Sequence, residues 1–169
     1  MPSQEDALSG GCQCGAVRYQ VEQVGRSGVC HCRMCQKAVG NIFAALVEVD
    51  WKHILWTRGE PAKWKSSDGV HRYFCSNCGT PLAYAHDGGI ELTIGSFDKP
   101  DKVPPIHQTN ASVRLSYFDQ LPDLQKDHEA EYAEYQAGFR SFQHPDHDTD
   151  HWTAKERDTS ATTNCRVTE

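Results

Sequence analysis

The chain has 169 residues, 38% of them hydrophobic, and a formal net charge of -6, a size that suits one domain with its own core. Residues 119–169 hold twelve acidic and five basic side chains, so the first 118 residues are close to neutral. Because the chain has no clustered Lys and Arg, its composition argues against DNA or RNA as the main partner.

The sequence predicts neither a membrane helix nor a secretory signal. No segment approaches the roughly 18–20 apolar residues that span a bilayer, and the first ten residues, MPSQEDALSG, lack a hydrophobic stretch. We therefore expect a cytoplasmic protein without a membrane partner. In that compartment clustered cysteines stay reduced and serve as metal ligands or catalytic groups, whereas in a secreted chain they would form disulfides.

Most of the elements predicted from hydrophobic periodicity are strands. Residues 1–9 are polar and are expected to form a flexible arm before one domain over residues 10–125. Apolar residues that alternate with polar ones, or short apolar runs between turn residues, predict strands over 16–21, 43–49, 71–74 and 90–94. A helical turn is expected over 34–39. The predicted fold is therefore mainly β, with antiparallel sheets and few short helices.

The C-terminal part has a different character. Residues 126–140 are rich in Glu, Ala and Gln and predict a helix. Residues 141–169 are acidic and poor in aliphatic side chains, so a disordered tail is expected. His144, His147 and His151 alternate with aspartates there and could bind a metal weakly, but a solvated tail is the simpler interpretation.

Seven of the eight cysteines fall into three tight clusters, and two of these clusters are pairs that could share one zinc ion. The pairs are Cys12 with Cys14 and Cys75 with Cys78; we refer to them together as the four-cysteine group. In both pairs a glycine follows the second cysteine, which permits the positive φ angle of a metal-binding turn. Four thiolates complete a tetrahedral site, so a structural zinc is predicted, closing a loop of about sixty residues.

The remaining cluster, Cys30, Cys32 and Cys35, is the three-cysteine group. All three sulfurs can reach one ion if the chain is extended at the first two residues and turns into a helix at the third. No equally good fourth cysteine remains, because Cys165 is alone near the C-terminus. We therefore expect a second, catalytic zinc with one coordination position open, where an incoming thiol would be held as thiolate.

Spacing alone leaves other ligand sets open. The three-cysteine group could hold a purely structural zinc, with the fourth ligand drawn from the histidines His31, His53, His71, His86 and His107. A single zinc with the other cysteines as buried thiols, or a different pairing of the clusters, is also compatible. His107, on an expected loop, is in addition the best histidine candidate for substrate binding.

Taken together, the motifs resemble the family of glutathione-dependent formaldehyde-activating enzymes (GFA), which also contains the centromere protein V domain. The resemblance covers roughly residues 8–125. It rests on GGCQCGAVRYQV (10–21), CHCRMCQKAVGNIFAALVEV (30–49), WTRGEP (56–61), HRYFCSNCGTPLAY (71–84), IELTIGSFDKPDKVPPIH (90–107) and DQLP (119–122).

The resemblance implies a β-tent (Mss4-like) fold stapled by zinc, with two zinc ions per chain. It assigns the structural zinc to the four-cysteine group and the catalytic zinc to the three-cysteine group. It also implies a carbon-sulfur lyase reaction, the reversible addition of the glutathione thiol to formaldehyde to give S-hydroxymethylglutathione. The small-molecule partner would then be a thiol such as glutathione.

Two questions follow from the implied activity. Glutathione carries two carboxylates, so its site should offer cationic side chains, and Arg33, Lys37 and Arg72 lie near the cysteines in the sequence. Because the addition also proceeds without an enzyme, the alternative functions are a non-catalytic zinc-stabilised binding module and a glutathione carrier. Edge strands could pair two copies into a homodimer.

Overall fold

The structure is a computed structural model that describes residues 8–126 and 129–155. Its strands are β1 (Leu8–Gly11), β2 (Arg18–Val21), β3 (Ser27–Cys30), β4 (Ala44–Val49), β5 (Ile54–Arg58), β6 (Ala62–Ser67), β7 (Val70–Phe74), β8 (Pro81–His86), β9 (Gly89–Thr93) and β10 (His107–Thr109). Its α-helices are α1 (Arg33–Val39) and α2 (Glu129–Ala137), and 3-10 turns cover Trp51–His53, Ile94–Ser96, Pro100–Lys102, Ala111–Val113 and Phe118–Asp123.

The strands form two sheets. The smaller has the order β1-β2-β5 and is antiparallel, and the larger has the order β10-β3-β4-β9-β8-β7-β6. In the larger sheet β3 and β10 pair in parallel, and the other neighbours are antiparallel. The prediction of a mainly β fold is therefore confirmed, with one parallel pair that the sequence reading did not foresee.

This topology places the cysteines at strand ends. Cys12 and Cys14 lie in the loop between β1 and β2, whereas Cys75 and Cys78 lie in the loop between β7 and β8. The three-cysteine group spans the end of β3 and the start of α1. Metal-binding turns at strand ends let distant parts of the chain converge without interrupting the hydrogen bonds of either sheet.

A core between the sheets holds the four-cysteine group in place. Tyr19, Leu82 and Leu92 have no exposed surface, and burial of each such side chain contributes about 1.5–3 kcal/mol. The Tyr19 ring packs edge-on against Trp56 and Phe97, and its hydroxyl lies 2.8 Å from the Ser96 hydroxyl. The partner for this buried hydroxyl removes the cost of leaving it without a hydrogen bond.

The predicted elements compare well with the structure where the hydrophobic pattern was strong. Strands are present within or beside all four predicted ranges, and α1 covers the predicted helical turn. Two details differ. Leu8 and Ser9 belong to β1 rather than to a flexible arm, because they pair with Val21 and Gln20. Ile94 begins a 3-10 turn instead of extending β9.

The prediction for the C-terminal part needs a larger correction. Helix α2 lies inside the range predicted for a helix. Residues 141–155, which we call the C-terminal segment, were expected to be disordered, but they pack against the loop of Cys12 and Cys14. His144 is 3% exposed because it fits against the side-chain-free Gly15. Cys165 lies outside the described residues, and within them no helix is long and apolar enough to cross a membrane.

Candidate metal centres

The four-cysteine group has the dimensions of a tetrahedral zinc site. Its four sulfurs all lie within 4.8 Å of one another. The Cys12 and Cys14 sulfurs are 3.6 Å apart, and those of Cys14 and Cys75 are 3.8 Å apart. A tetrahedron with zinc-sulfur bonds of about 2.3 Å has sulfur-sulfur edges of about 3.8 Å. The residues present therefore fit one zinc ion.

Two glycines make this convergence possible. Gly15 and Gly79 have φ angles of +72° and +81°, which are strained for other residues. In the turn of the second pair, the Gly79 N-H donates to the Cys75 carbonyl at 2.9 Å. A positive φ angle was predicted for both glycines from their position after a cysteine, and the structure confirms it.

Hydrogen-bond donors surround the four sulfurs. The Val17 backbone N-H donates to the Cys12 sulfur, and the Asn77 side-chain amide donates to that of Cys14, both at 3.2 Å. Burial raises the pKa of the Cys12 thiol, and its closeness to Cys75 raises it further. Although burial opposes ionisation of Cys78 as well, hydrogen bonds from Thr80 lower its pKa to about 6. Four thiolates this close require a cation between them, which suits the site to a metal.

The C-terminal segment covers this group from outside. The Trp152 indole N-H donates to the Cys14 carbonyl, and the His144 backbone N-H donates to the Gln13 carbonyl, both at 2.8 Å. Arg18 donates to Asp98 and to Asp148, each at 2.7 Å, and so ties the segment to β2. Sequence reasoning missed this cover. The sequence signal was the presence of two large aromatic side chains, Phe142 and Trp152, in a largely polar stretch.

The three-cysteine group forms as the sequence predicted, where the chain passes from strand to helix. Cys30 ends β3, Cys32 is the extended N-cap residue of α1, and Cys35 lies in the first turn of that helix. The Cys35 N-H donates to the Cys32 sulfur at 3.3 Å, which is the usual way a cap residue satisfies a free helix N-H. The three sulfurs lie within 4.8 Å of one another. They could hold one metal ion with three protein ligands.

Two side chains donate to these sulfurs from other elements. Arg72 of β7 donates to the Cys35 sulfur at 3.4 Å, and Asn110 donates to that of Cys30 at 3.5 Å. Arg72 is 8% exposed and lies 4.5 Å above the Tyr84 ring. Burial raises the pKa of the Cys35 thiol to about 12, opposed by Arg72. One zinc with three thiolates carries a formal charge of -1, so the Arg72 guanidinium would neutralise it.

The histidines considered as a fourth ligand do not join this group. Within the described residues, no His, Asp or Glu and no further Cys lies with the three sulfurs. His31 is fully buried, but its Nε2 lies 2.9 Å from the Gln108 amide oxygen and its ring packs edge-on against Phe118. His31 is therefore a core residue. The hypothesis of a structural site completed by histidine receives no support from the geometry.

His107 lies closer to the three-cysteine group than its place in the sequence suggested. It lines a polar cavity of about 190 Å³ together with Cys30, Arg26, Glu48 and Glu91. Its ring lies over Gly28, and its Nδ1 is buried without a hydrogen-bond partner. Burial raises the pKa of the Glu91 carboxyl. Sequence reasoning did not single out Arg26, Glu48 or Glu91, because nothing in their local pattern distinguishes them from surface charges.

The three cationic candidates have different surroundings. Arg72 contacts the three-cysteine group, as described above. Arg33 and Lys37 are exposed on α1, and Arg33 donates to the neighbouring Gln36 side chain at 3.2 Å. Neither lines the polar cavity. Of the three, the structure therefore brings only Arg72 to the sulfurs.

The class that the fold and site define is a mainly β protein with two separate cysteine clusters, one of four sulfurs and one of three, each of which could hold a metal ion. Within that class, residues 7–120 match the family model of the glutathione-dependent formaldehyde-activating enzyme, and the chain belongs to that family. No curated protein sequence is significantly similar to it.

A crystal structure of a Rhodobacter sphaeroides protein is similar in fold. Its TM-score is 0.50 at 19% sequence identity, and the match covers 60% of this chain and 99% of the other. At this identity the likeness concerns the fold alone. The match therefore supports the architecture and leaves the chemistry to the residues of this chain.

Proposed function

We propose that the protein is a two-zinc carbon-sulfur lyase that adds a thiol reversibly to a small carbonyl compound. Glutathione and formaldehyde are the default pair, and the product is the S-hydroxymethyl adduct. The observation that carries the proposal is the three-cysteine group, three converging sulfurs without a fourth ligand among the described residues. Membership of the family supports the reaction class.

The two groups have different roles in this proposal. Cys12, Cys14, Cys75 and Cys78 hold the structural zinc, and Cys30, Cys32 and Cys35 hold the catalytic one. When bound by three thiolates, zinc acts as a Lewis acid with one open position, where it lowers the pKa of an incoming thiol. Arg72 and Asn110 orient the cysteine sulfurs through their hydrogen bonds, and outer contacts of this kind tune metal affinity.

The polar cavity beside Cys30 suits the charged parts of the thiol substrate. Arg26 could pair with a carboxylate of glutathione, and Glu48 and Glu91 could pair with its ammonium group. The cavity, at about 190 Å³, has room for one end of the tripeptide and not for all of it. We assign His107 to substrate binding on the same grounds, since its side chain lines this cavity.

The reaction needs no oxidant or reductant. The thiol sulfur forms a bond to the carbonyl carbon as the carbon-oxygen π bond breaks, and the thiol proton ends on the carbonyl oxygen. The reverse reaction moves the same proton back. The residues of this chain therefore have to hold the thiolate, place the carbonyl carbon next to it and provide a path for one proton.

Zinc analysis and exchange NMR test the proposal together. We expect two zinc ions per chain and faster exchange between glutathione, formaldehyde and their adduct when protein is present. Cys32→Ser should abolish the acceleration and leave one zinc bound. Cys165→Ser makes the same chemical change outside the clustered cysteines and should leave the rate unchanged.

The outcomes separate an enzyme from the alternatives. Two zinc ions without any acceleration would contradict the proposal and favour a binding module or a carrier of glutathione. Equal acceleration by wild type and Cys32→Ser would also contradict it, because catalysis would then not depend on the three-cysteine group.

A further inference from the structure

A second cavity, which we call the apolar cavity, lies beside the three-cysteine group. Its volume is about 290 Å³. Trp64 of β6, which is 61% exposed, stands among its lining residues. Among the described residues that line it, those other than Arg72 are uncharged and include Ala38, Val39, Leu46, Trp64 and Tyr84.

The cysteines themselves do not line this cavity, but several of its lining residues contact the three-cysteine group. Leu46 packs in one small core with Cys35, and Val39 and Tyr84 pack against that core. Arg72 lines the cavity and donates to the Cys35 sulfur. Leu46 lines the polar cavity as well. The two cavities therefore flank the three-cysteine group, with Leu46 between them.

The charge of the apolar cavity indicates which molecules it suits. Its one ionic side chain, Arg72, already faces the sulfurs and stacks on Tyr84, and it would balance the formal charge of -1 of a zinc bound there. A ligand carboxylate would therefore find no free cation among the lining residues. Burying an unpaired charge is costly, so the cavity suits a neutral molecule with an apolar body.

We propose that the apolar cavity binds the apolar body of a neutral aldehyde, so that the carbonyl substrate is larger than formaldehyde. This inference rests on the proposed function, because it names the carbonyl substrate of the same site. The glutathione thiolate, held at the polar side, forms the new sulfur-carbon bond. As the carbon-oxygen π bond breaks, the thiol proton ends on the oxygen, giving a neutral hemithioacetal.

Size supports this assignment over formaldehyde alone. At about 30 Å³ per water in the liquid, a cavity of 290 Å³ has the volume of about ten waters. Formaldehyde has two heavy atoms and would leave most of that space without a contact. A benzene ring or a branched alkyl group would bury apolar surface there, which stabilises a complex by about 25 cal/mol per Å².

The test compares benzaldehyde with formaldehyde at fixed glutathione, using zinc-loaded full-length protein. Exchange NMR measures the acceleration of each addition, and chemical-shift mapping with benzaldehyde alone reports binding independently of turnover. Ala38 is half-buried on α1, so Ala38→Trp fills the cavity from the helix surface. Met34→Trp is the matched control, because Met34 is 53% exposed on the same helix and does not line the cavity.

We expect benzaldehyde to shift the signals of Leu46, Trp64 and Tyr84, and wild type to accelerate its addition. In Ala38→Trp the ratio of kcat/KM for benzaldehyde to that for formaldehyde should fall at least tenfold, with no change in Met34→Trp. Acceleration confined to formaldehyde, without those shifts, would overturn this inference and leave the proposed function intact. No acceleration with either aldehyde would overturn both.

Discussion

The two cysteine groups of this chain share a ligand type but differ in the number of cysteines, in their burial and in the residues that contact them. The four-cysteine group lies against the main core, and the C-terminal segment covers it through Trp152 and His144. In the three-cysteine group, Cys30 and Cys32 are only half-buried, and two cavities flank it. Cys12, Cys14 and Cys75 of the four-cysteine group are buried and Cys78 is exposed, whereas Cys35 is the one buried cysteine of the other group. The group with more ligands therefore has the larger share of buried cysteines, as expected if one site stabilises the fold and the other binds a substrate.

The comparison also shows which differences between the groups the proposed function uses. At the four-cysteine group, the chain supplies four ligands and buries three of them, while Cys78 is exposed. At the three-cysteine group, it supplies three ligands and Arg72, a cation that would neutralise a bound zinc. Cavities adjoin both groups, so the number of ligands and the nearby Arg72 distinguish them, and space does not. Each prediction below alters one of these differences.

The largest effect should come from the four-cysteine group. Cys75→Ser should leave the chain unfolded at 25 °C, because the apparent binding energy of a structural zinc, about 10–16 kcal/mol, is of the same size as the whole stability of a typical domain, about 5–15 kcal/mol. Cys32→Ser should keep the far-UV circular dichroism of the wild type and a cooperative thermal transition. If both variants fold equally well, the division of roles between the groups is wrong.

Removing the positive charge beside the three-cysteine group should have the next largest effect. Arg72→Met is expected to lower the affinity of the three-cysteine group for zinc by about 10–100-fold, the usual result of losing an outer contact to a metal ligand. Competition with a chromophoric chelator measures this affinity. Arg114→Gln is the control, because Arg114 is a partly exposed arginine whose partner is Asp119. Equal affinities in wild type and Arg72→Met would show that Arg72 does not balance the charge of this site.

The same comparison shows what the sequence could reveal. Both cysteine groups were predicted because glycine-flanked pairs and the CHCRMC cluster are local patterns with a direct chemical meaning. Strands such as Arg18–Val21 were predicted from alternation. The parallel pairing of β3 with β10 could not be predicted, because β10 is three residues long and its pairing depends on the whole sheet.

The C-terminal segment was wrongly predicted to be disordered, and the error has a physical reason. Its residues are polar, and polar composition ordinarily indicates disorder. Here individual polar groups have their own hydrogen-bond partners. Asp148 accepts a hydrogen bond from Arg18, and the Trp152 indole N-H donates to the Cys14 backbone carbonyl. Such matches depend on partners about 130 residues away in the chain, which no local pattern shows. Residues 156–169 lie outside the described part of the chain.

A smaller effect is expected from weakening the hydrogen bonds between the C-terminal segment and β2. Asp148 accepts hydrogen bonds from Arg18 at 2.7 Å and from Gln20 at 2.9 Å. Its side chain is 40% exposed, so solvent screening reduces the value of the ion pair. Asp148→Asn should therefore lower the free energy of unfolding by about 1 kcal/mol. It should also speed zinc release from the four-cysteine group, measured as the slower phase of transfer to a chelator. Asp146→Asn, the same change at an exposed neighbour, should do neither.

The smallest effect concerns pH and the neutral state of His144. Burial lowers the pKa of His144, and the nearby guanidinium groups of Arg18 and Arg58 lower it further, against smaller opposing effects of the hydrogen bond to the Pro145 carbonyl and of Asp98. Arg58 donates to its Nε2 at 3.2 Å, and its Nδ1 lies 2.7 Å from the Pro145 carbonyl oxygen. The imidazole that fits these contacts carries its proton on Nδ1 and is uncharged.

A histidine whose pKa is lower in the folded state than in the unfolded one binds fewer protons when folded. Its contribution to stability is therefore complete above about pH 6.5, the ordinary value, and is lost as the pH falls toward the folded pKa. Urea titrations between pH 7.5 and pH 5.5 should show a steeper loss of stability for wild type than for His144→Gln. His147→Gln, an exposed position in the same segment, should follow wild type. If the stability of wild type falls no more steeply with pH than that of His144→Gln, the C-terminal segment does not hold His144 in its neutral form.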